Sequence, residues 1–366
     1  MAATLTAYAI AQGYTLDLLV SGIPYTSGVD YIAAGAMGVT RQAGAGFLLT
    51  ASLADPPRAS FQNYRFSTRA LGQNASAATK TAFPGTASTF GLSMICSNGV
   101  IYTQGSQATL TVPTLWQSAD DGVTHSVAYT YAGDMAKMCA DPAANALYSV
   151  AFSNATVYKV DLATGTRTVV SSQSGKFGLG IALSYGRTSL YLARYTGIDI
   201  IRLSDGAITG SIPAIAGTPG YYDVMPMTGG KGGKLLVVGR FTSTLYEVPT
   251  NGIGTHQPIL TGCTDFGRIH IFQNNQVAVA ETSRVYLLTV PTGSGVSQGS
   301  CYDSNLGGDG GGNDGTGGGG DGGVGGPDAG GGGCDCCSWQ TPARPTSNYT
   351  TPTRPVSSWR KPECPC

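Results

Sequence analysis

The stretch ADPAANALYSVAFSNATVYKVDLATGTRTVV, residues 140–170, alternates short apolar runs with clusters of turn residues. The runs ALYSVAF, TVYKV and TRTVV are rich in β-branched and aromatic residues, which favour strands. Asn, Asp, Pro and Gly separate these runs, and these residues suit tight turns. The stretch therefore predicts consecutive antiparallel strands, and the preceding segment GDMAKMCADP adds one more strand and its turn.

The same arrangement recurs along the chain. Four segments, TVYKVDLATG, IDIIRLSDG, STLYEVPTNG and RVYLLTVPTG, each end at a turn glycine, namely Gly165, Gly206, Gly252 and Gly293, spaced 41, 46 and 41 residues apart. Another apolar run precedes each segment, and a shorter strand follows the closing glycine of the first two. Four strands in about 43 residues are the unit of a β-propeller blade. We expect an all-β protein with six or seven four-stranded blades.

The N-terminal segment of residues 5–22, LTAYAIAQGYTLDLLVSG, resembles the last two strands of a blade that stands alone. The final repeat, in contrast, lacks a recognisable fourth strand. We therefore predict that an N-terminal strand completes the C-terminal blade, because ring closure removes sheet edges that would otherwise invite aggregation.

Residues 140–170 resemble the β-propeller repeat proteins of the YVTN and NHL kind. The resemblance extends over residues 130–296 and more weakly over 1–130, and the conserved dipeptides of the family are absent from the other blades. It implies a fold, and a fold alone does not assign a function.

The composition limits the function classes that remain. Charged residues make up 11% of the 366 residues and the formal net charge is zero, so nucleic acid and anionic membranes are not expected partners. The chain has no run of about 18 apolar residues and no signal peptide at its start. We expect it to be made in the cytoplasm and not to leave by the ordinary secretory route. With three glutamates and three histidines, acid–base chemistry has few groups to use.

One enzymatic alternative places a divalent metal in the central channel of the propeller, as the lactonases do, with Glu, Asn and Asp as ligands. Glu247 and Glu281 fall on a third and a second strand, away from the innermost strands that line a channel. Asp223, Asp265 and His270 fall near innermost strands. One acid and one histidine are more often groups satisfied within the fold than metal ligands. Cys96, Cys139 and Cys263 lie in or beside apolar strands, which predicts buried thiols.

The C-terminal part has a different composition. We divide the chain into a propeller at 1–300, a Gly-rich linker at 301–333 and a Cys/Pro-rich tail at 334–366. In the tail, TPARPTS and TPTRPVS form a tandem repeat that proline keeps extended. The segments CDCC and CPC flank this repeat and can join its ends. The residues that we assign to attachment are Cys336, Trp339 and Trp359, and the candidate ligands of a metal are Cys334, Cys337, Cys364 and Cys366.

Two chemistries can close the tail, and the sequence leaves both open. We favour disulfides, which would close a loop of about 28 residues and contribute roughly 3 to 4 kcal/mol. Four thiolates could instead bind zinc or an iron–sulfur cluster. No other cofactor is expected.

These features predict a non-enzymatic binding or structural propeller that its tail anchors to other structural proteins or to copies of itself. We expect synthesis in the cytoplasm without a signal peptide, and the tail is suited to disulfides while the surface has a low charge. Together these features favour a virion or extracellular location. We predict a surface or tail component of a tailed phage that meets a host receptor or glycan. The alternatives are a lactonase-like propeller hydrolase with a channel metal and an intracellular protein-interaction platform.

Overall fold

The computed structural model describes the chain from residue 3 to residue 296, with gaps. The described residues are 3–21, 37–42, 46–54, 61–68, 73–74, 79–82, 94–106, 113–119, 124, 126–131, 137–151, 153–173, 177–215, 220–239, 242, 244–263, 269–273, 275–281 and 284–296. They all belong to one compact unit, residues 1–317, of the two units into which the chain divides. The Gly-rich linker and the tail, with all its predicted attachment and ligand residues, lie outside the described residues. The predicted domain boundaries remain predictions.

The described residues form an N-terminal segment and a series of antiparallel sheets. The N-terminal segment contains β1 (Thr4–Leu5), α1 (Ala7–Gln12) and β2 (Thr15–Ser21). An N-terminal sheet follows, described by its strand pairing alone. Its strands are β3 (Met37–Gln42), β4 (Gly46–Ala54), β5 (Phe61–Thr68) and β7 (Thr79–Ala82), while β6 (Gln73–Asn74) pairs with β2.

Five further sheets, named here blades A to E in chain order, are described with side chains at most positions. Blade A contains β8 (Met94–Ser97), β9 (Val100–Ser106), β10 (Pro113–Ser118) and β11 (Ser126–Thr130). Blade B contains β12 (Lys137–Asp141), the 3-10 turn Pro142–Ala144, β13 (Ala146–Val150), β14 (Val157–Asp161) and β15 (Arg167–Ser171). Blade C contains β16 (Gly178–Leu183), β17 (Ser189–Arg194), β18 (Gly197–Arg202) and β19 (Ile208–Pro213).

Blades D and E complete the series. Blade D contains β20 (Tyr221–Gly229), β21 (Lys234–Gly239), β22 (Leu245–Pro249) and β23 (Gln257–Thr261). Blade E contains β24 (Ile269–Gln273), β25 (Gln276–Glu281), β26 (Arg284–Thr289) and, as its fourth strand, β2. The last described strand, β27 (Ser294–Val296), pairs with the end of β20.

The first strand of each sheet lies next to the first strand of the next sheet, so that these innermost strands surround a central channel. The all-β propeller with antiparallel four-stranded blades is therefore confirmed. Five blades are described with their side chains, which is fewer than the six or seven predicted, and the sheet of residues 37–82 is described by pairing alone. The repeat was correctly located, since Gly165, Gly206, Gly252 and Gly293 all close their turns with φ between 68° and 78°.

The core lies in the seams between blades. In blade B every residue of β13 is buried, and Tyr148 and Val150 pack with Ile181, Leu190 and Leu192 of blade C. Equivalent clusters join blade A to B, C to D and D to E. Burying a side chain of this size contributes about 1.5 to 3 kcal/mol, so the seams are the main source of stability. Of the candidate thiols, Cys139 and Cys263 are buried as predicted, and the side chain of Cys96 lies outside the described atoms.

The prediction for ring closure is correct for β2 and wrong for the segment before it. β2 pairs antiparallel with β26, so an N-terminal strand does complete the C-terminal blade. The residues before it, predicted as a strand, instead form α1. Thr6 caps its start by accepting from the Ala9 N–H at 3.2 Å, and Gly13, with φ 88°, ends it. The sequence TAYAIAQG, residues 6–13, contains both capping residues. The prediction of a strand relied on its short apolar residues and overlooked these caps.

A buried carboxylate holds the N-terminal segment to blade D. Glu247 of β22, 1% exposed, accepts from the Tyr14 hydroxyl at 2.8 Å and the Tyr8 hydroxyl at 3.0 Å, and its carboxylate lies 3.0 Å from Lys231 Nζ. Burial and the hydrogen bond to Glu247 raise the pKa of Tyr8 to about 12. Burial raises the pKa of Glu247 itself, but hydrogen bonds from Tyr14, Lys231 and Tyr8 outweigh it and leave that pKa lowered. The anion is therefore the stable form.

We expect Tyr14→Phe to lower the free energy of unfolding by about 1.5 to 3 kcal/mol, because it removes a hydrogen bond to a buried charged acceptor. Tyr185→Phe is the matched control, since Tyr185 is 38% exposed in the turn between β16 and β17 and its change should stay within about 0.5 kcal/mol. Urea unfolding at pH 7 measures both. Equal stability of the two variants would contradict the assigned role of Tyr14.

The lowered pKa of Glu247 also predicts a pH dependence. Its stabilising contribution is complete above the unfolded-state pKa of about 4.3 and is lost as the pH falls through the lower folded-state pKa. Glu247→Gln should therefore cost most at pH 7 and progressively less below pH 4. Urea unfolding of the two proteins between pH 7 and pH 3 gives the difference, and a difference independent of pH would refute the assignment.

Candidate functional site

The candidate site lies at the end of the channel where the innermost strands begin. Lys137 is the first residue of β12, and Asp223 is the third residue of β20. Their side chains form an ion pair that joins blade B to blade D. Both residues are buried, with 5% of Lys137 and none of Asp223 exposed. In a chain with so few charges, a buried ion pair on the channel wall is the most distinctive polar feature of the described residues.

The backbone of blade E completes this group. The Ile269 N–H donates to Asp223 Oδ2 at 3.1 Å, and the Ile269 carbonyl accepts from Lys137 Nζ at 3.4 Å. Asp223 Oδ1 also accepts from the Val224 N–H at 2.9 Å. The inner edge of an innermost strand has backbone groups that no neighbouring strand pairs, and here the ion pair satisfies those of Ile269, the first residue of β24. His270, 5% exposed, is the next residue on the same strand.

The repeat explains how Lys137 reaches a residue two blades away. Lys137, Gly180 and Asp223 are 43 residues apart in succession. In the strand registers they pair with Val150, Ala193 and Val238, which are equivalent residues of the second strands. The intermediate blade thus carries glycine at this position. A Cβ added to Gly180 would lie 2.8 Å from both Cα and Oδ1 of Asp223, so the glycine leaves the space that the carboxylate occupies.

A β-bulge lies beside Gly180 and beside Asp223. The register shifts between Gly178 and Gly180 in blade C and at the same place, between Tyr221 and Asp223, in blade D. A bulge places two residues opposite one and bends the strand, and bulges are frequent beside functional sites. Because it recurs in two blades, this bulge belongs to the repeat.

The structure places most of the candidate residues where the sequence predicted them, and it adds two that the sequence analysis missed. Glu247 and Glu281 lie on a third and a second strand, as predicted, and both are buried. Asp223 and His270 are on innermost strands, as predicted, and Asp265 lies outside the described residues. The sequence analysis missed Lys137 and Gly180. The signal that could have found them is the 43-residue period itself, applied to the position of Asp223.

A divalent metal does not fit the described part of this site. Among the described residues, no three His, Cys, Asp or Glu side chains come together as a metal would need. The Asp223 carboxylate is already neutralised by the Lys137 ammonium, which would also repel a divalent cation. The described residues of the channel end therefore do not form the metal site that the enzymatic alternative uses. The described residues also contain no helix long and apolar enough to span a membrane.

Comparison with known proteins gives matches in structure and none in sequence. No protein-family model matches the chain, and a comparison with curated sequences finds no similar protein. A PQQ-bound aldose sugar dehydrogenase from Streptomyces coelicolor is similar, with a TM-score of 0.50 and 12% identity over 76% of this chain and 99% of its own. A luciferin-regenerating enzyme gives 0.52 and 12% over 79% and 99%. A protein described as a gluconolactonase gives 0.52 and 9% over 81% and 100%.

These matches correct one prediction. The sequence analysis predicted a protein without enzymatic activity, and that prediction is contradicted, because three of the similar structures carry the names of enzymes. The scarcity of Glu and His misled it, since a few residues placed by the fold are enough for a reaction centre. At 9–12% identity the likeness itself shows the propeller fold alone.

The space beside Asp223 can be tested by filling it. We expect Gly180→Ala to lower the free energy of unfolding by about 1 to 3 kcal/mol, since the new methyl group must displace the Asp223 backbone. Gly210→Ala in β19 is the matched control, because its Cβ would meet nothing closer than Ile200 Cδ1 at 3.4 Å. Urea unfolding compares the two. A Gly180→Ala variant as stable as the control would show that this contact is absent in solution.

Proposed function

We propose that this protein is a propeller hydrolase that acts on a small ester or lactone at the channel end formed by Lys137, Asp223 and His270. One observation carries the proposal. Ionisable residues of blades B, D and E lie on innermost strands at one end of the channel, and Lys137, Asp223 and His270 are all buried there. Two of the similar structures are named as a gluconolactonase and an aldose sugar dehydrogenase, which supports a small-molecule substrate in such a channel.

Each residue has a separate part in the proposed reaction. Water attacks the carbonyl carbon of the substrate, and its proton passes to the His270 imidazole, which acts as a general base. The negative charge that develops on the carbonyl oxygen is stabilised by the Lys137 ammonium. The tetrahedral intermediate then collapses, the bond from carbon to the alcohol oxygen breaks, and the proton returns from His270 to the leaving alkoxide. Asp223 is a positioning residue, because it holds Lys137 in place.

In this reaction the Lys137 ammonium stabilises the oxyanion, which a channel metal would do in the lactonase-like alternative. A lysine ammonium stabilises an oxyanion without any metal, so we expect chelation with EDTA to leave the activity unchanged. A hydrolysis that EDTA abolished and that returned with a divalent cation would contradict this centre. The predicted anchoring of the chain through its tail, and its role in a phage, gain no support from the described residues.

The roles of Lys137 and His270 can be tested with a panel of p-nitrophenyl acetate, phenyl acetate and δ-gluconolactone. We expect Lys137→Met to lower kcat/KM at least 100-fold, as loss of an oxyanion donor does, while Lys159→Met on β14 keeps wild-type values. His270→Gln should lower kcat by 100-fold or more, and His256→Gln is its control. If the wild-type protein hydrolyses none of the three compounds, the proposal is refuted.

The structural role of the ion pair needs its own control. Lys137→Met alone leaves a buried carboxylate without its cation, which costs about 3 to 5 kcal/mol and could unfold the protein. The double variant Lys137→Met with Asp223→Asn removes both charges, and the Asn amide oxygen keeps an acceptor for one of the two N–H groups, so we expect it to be more stable than Lys137→Met alone. A double variant that is stable and inactive supports a catalytic Lys137. One that is stable and fully active would contradict it.

A further inference from the structure

Two aromatic rings lie at the same end of the channel as the candidate site. Phe177 immediately precedes β16, and Tyr195 follows β17, so the two residues face each other at the end of one hairpin of blade C. Their ring centroids are 5.2 Å apart with an interplanar angle of 32°. Phe177 is 43% exposed, although it is a large apolar side chain, and Tyr195 is half-buried. We name these two residues the aromatic pair.

The turn that carries Tyr195 is held in place from two sides. The Arg194 guanidinium forms a buried ion pair with Asp199 across the hairpin. On the other side Gly220, with φ 103°, packs against the Tyr195 backbone, where an added Cβ would lie 2.1 Å from the carbonyl oxygen. The aromatic pair is therefore presented on a fixed frame, which lowers the entropic cost of binding a ligand.

The strand register relates the position of the aromatic pair to that of Gly180 and Asp223. Gly180, which packs against Asp223, pairs with Ala193, and Tyr195 is two residues beyond Ala193, just after the end of β17. Two residues of a strand correspond to about 7 Å. Gly220 is likewise three residues before Asp223 on the next innermost strand. The aromatic pair therefore lies at the same end of the channel as Lys137, at the start of the neighbouring blade.

We propose that the aromatic pair is the specificity site of the hydrolase and binds an aromatic ring of the substrate, so that the preferred substrates are aryl esters. Aromatic rings favour offset or tilted stacking on other rings, and a pair of rings already tilted at 32° offers both arrangements. This inference rests on the proposed function for its reaction, and on the aromatic pair alone for its ring recognition. The two parts can fail separately.

The test compares an aryl substrate with an alkyl substrate that has the same acyl group. We expect Phe177→Ala and Tyr195→Ala each to raise KM for phenyl acetate roughly 3- to 10-fold, which is the usual worth of one ring contact. The kcat for phenyl acetate and the KM for ethyl acetate should stay within twofold, because neither residue meets the ester group. Tyr185→Ala is the matched control, since this exposed tyrosine lies at the opposite end of blade C. Equal increases in KM for both esters would overturn the specificity role.

A second readout does not depend on activity. Benzyl alcohol, a ring ligand without an ester, should bind the wild-type protein in saturation-transfer NMR, and Phe177→Ala should abolish the signal while Tyr185→Ala keeps it. If this result is obtained with a protein that hydrolyses no ester, the ring site stands and the proposed reaction fails. If the wild-type protein hydrolyses phenyl acetate but the Phe177→Ala variant binds benzyl alcohol normally, the reaction stands and the ring site is refuted.

Discussion

The ion pair between Lys137 and Asp223 is the interaction on which the rest of the site depends. It crosses an intermediate blade that has Gly180 at the equivalent position, and it also satisfies the backbone N–H and carbonyl of Ile269. Four innermost strands thus meet at one group of atoms. A buried pair of this kind gains little net stability over apolar residues, but breaking it is costly. Its main effect is to fix the positions of the Lys137 ammonium and the Asp223 carboxylate relative to blades B, D and E.

The ring that holds this group is closed at a second place by the N-terminal segment. β2 supplies the fourth strand of blade E, while the Tyr8 and Tyr14 hydroxyls bind the Glu247 carboxylate of blade D. Closure leaves no unpaired strand at the junction and joins the two ends of the described chain. The two carboxylates make separate connections, since Glu247 joins the N-terminal segment to blade D and Asp223 joins blade D to blades B and E.

The sequence predicted the strands well and the site poorly, for one reason. The four turn glycines, the β-branched runs between them and the fourth strand of the last blade are local or periodic features, and the structure confirms them. The segment before β2 was assigned to a strand because short apolar residues fit either element, and the Thr6 and Gly13 caps make it α1. Lys137 was not predicted as a site residue, because a lysine at the start of a strand is usually exposed to solvent.

By itself the sequence determined the repeat, because a period of about 43 residues fixes which strands pair and which face of each strand is buried. It also placed Asp223 and His270 near innermost strands. Only the tertiary structure decided which of the equivalent positions meet. Pairing within a blade is a matter of neighbours in sequence, whereas the contact of Lys137 with Asp223 depends on the curvature of the whole ring and on the missing side chain of Gly180 between them.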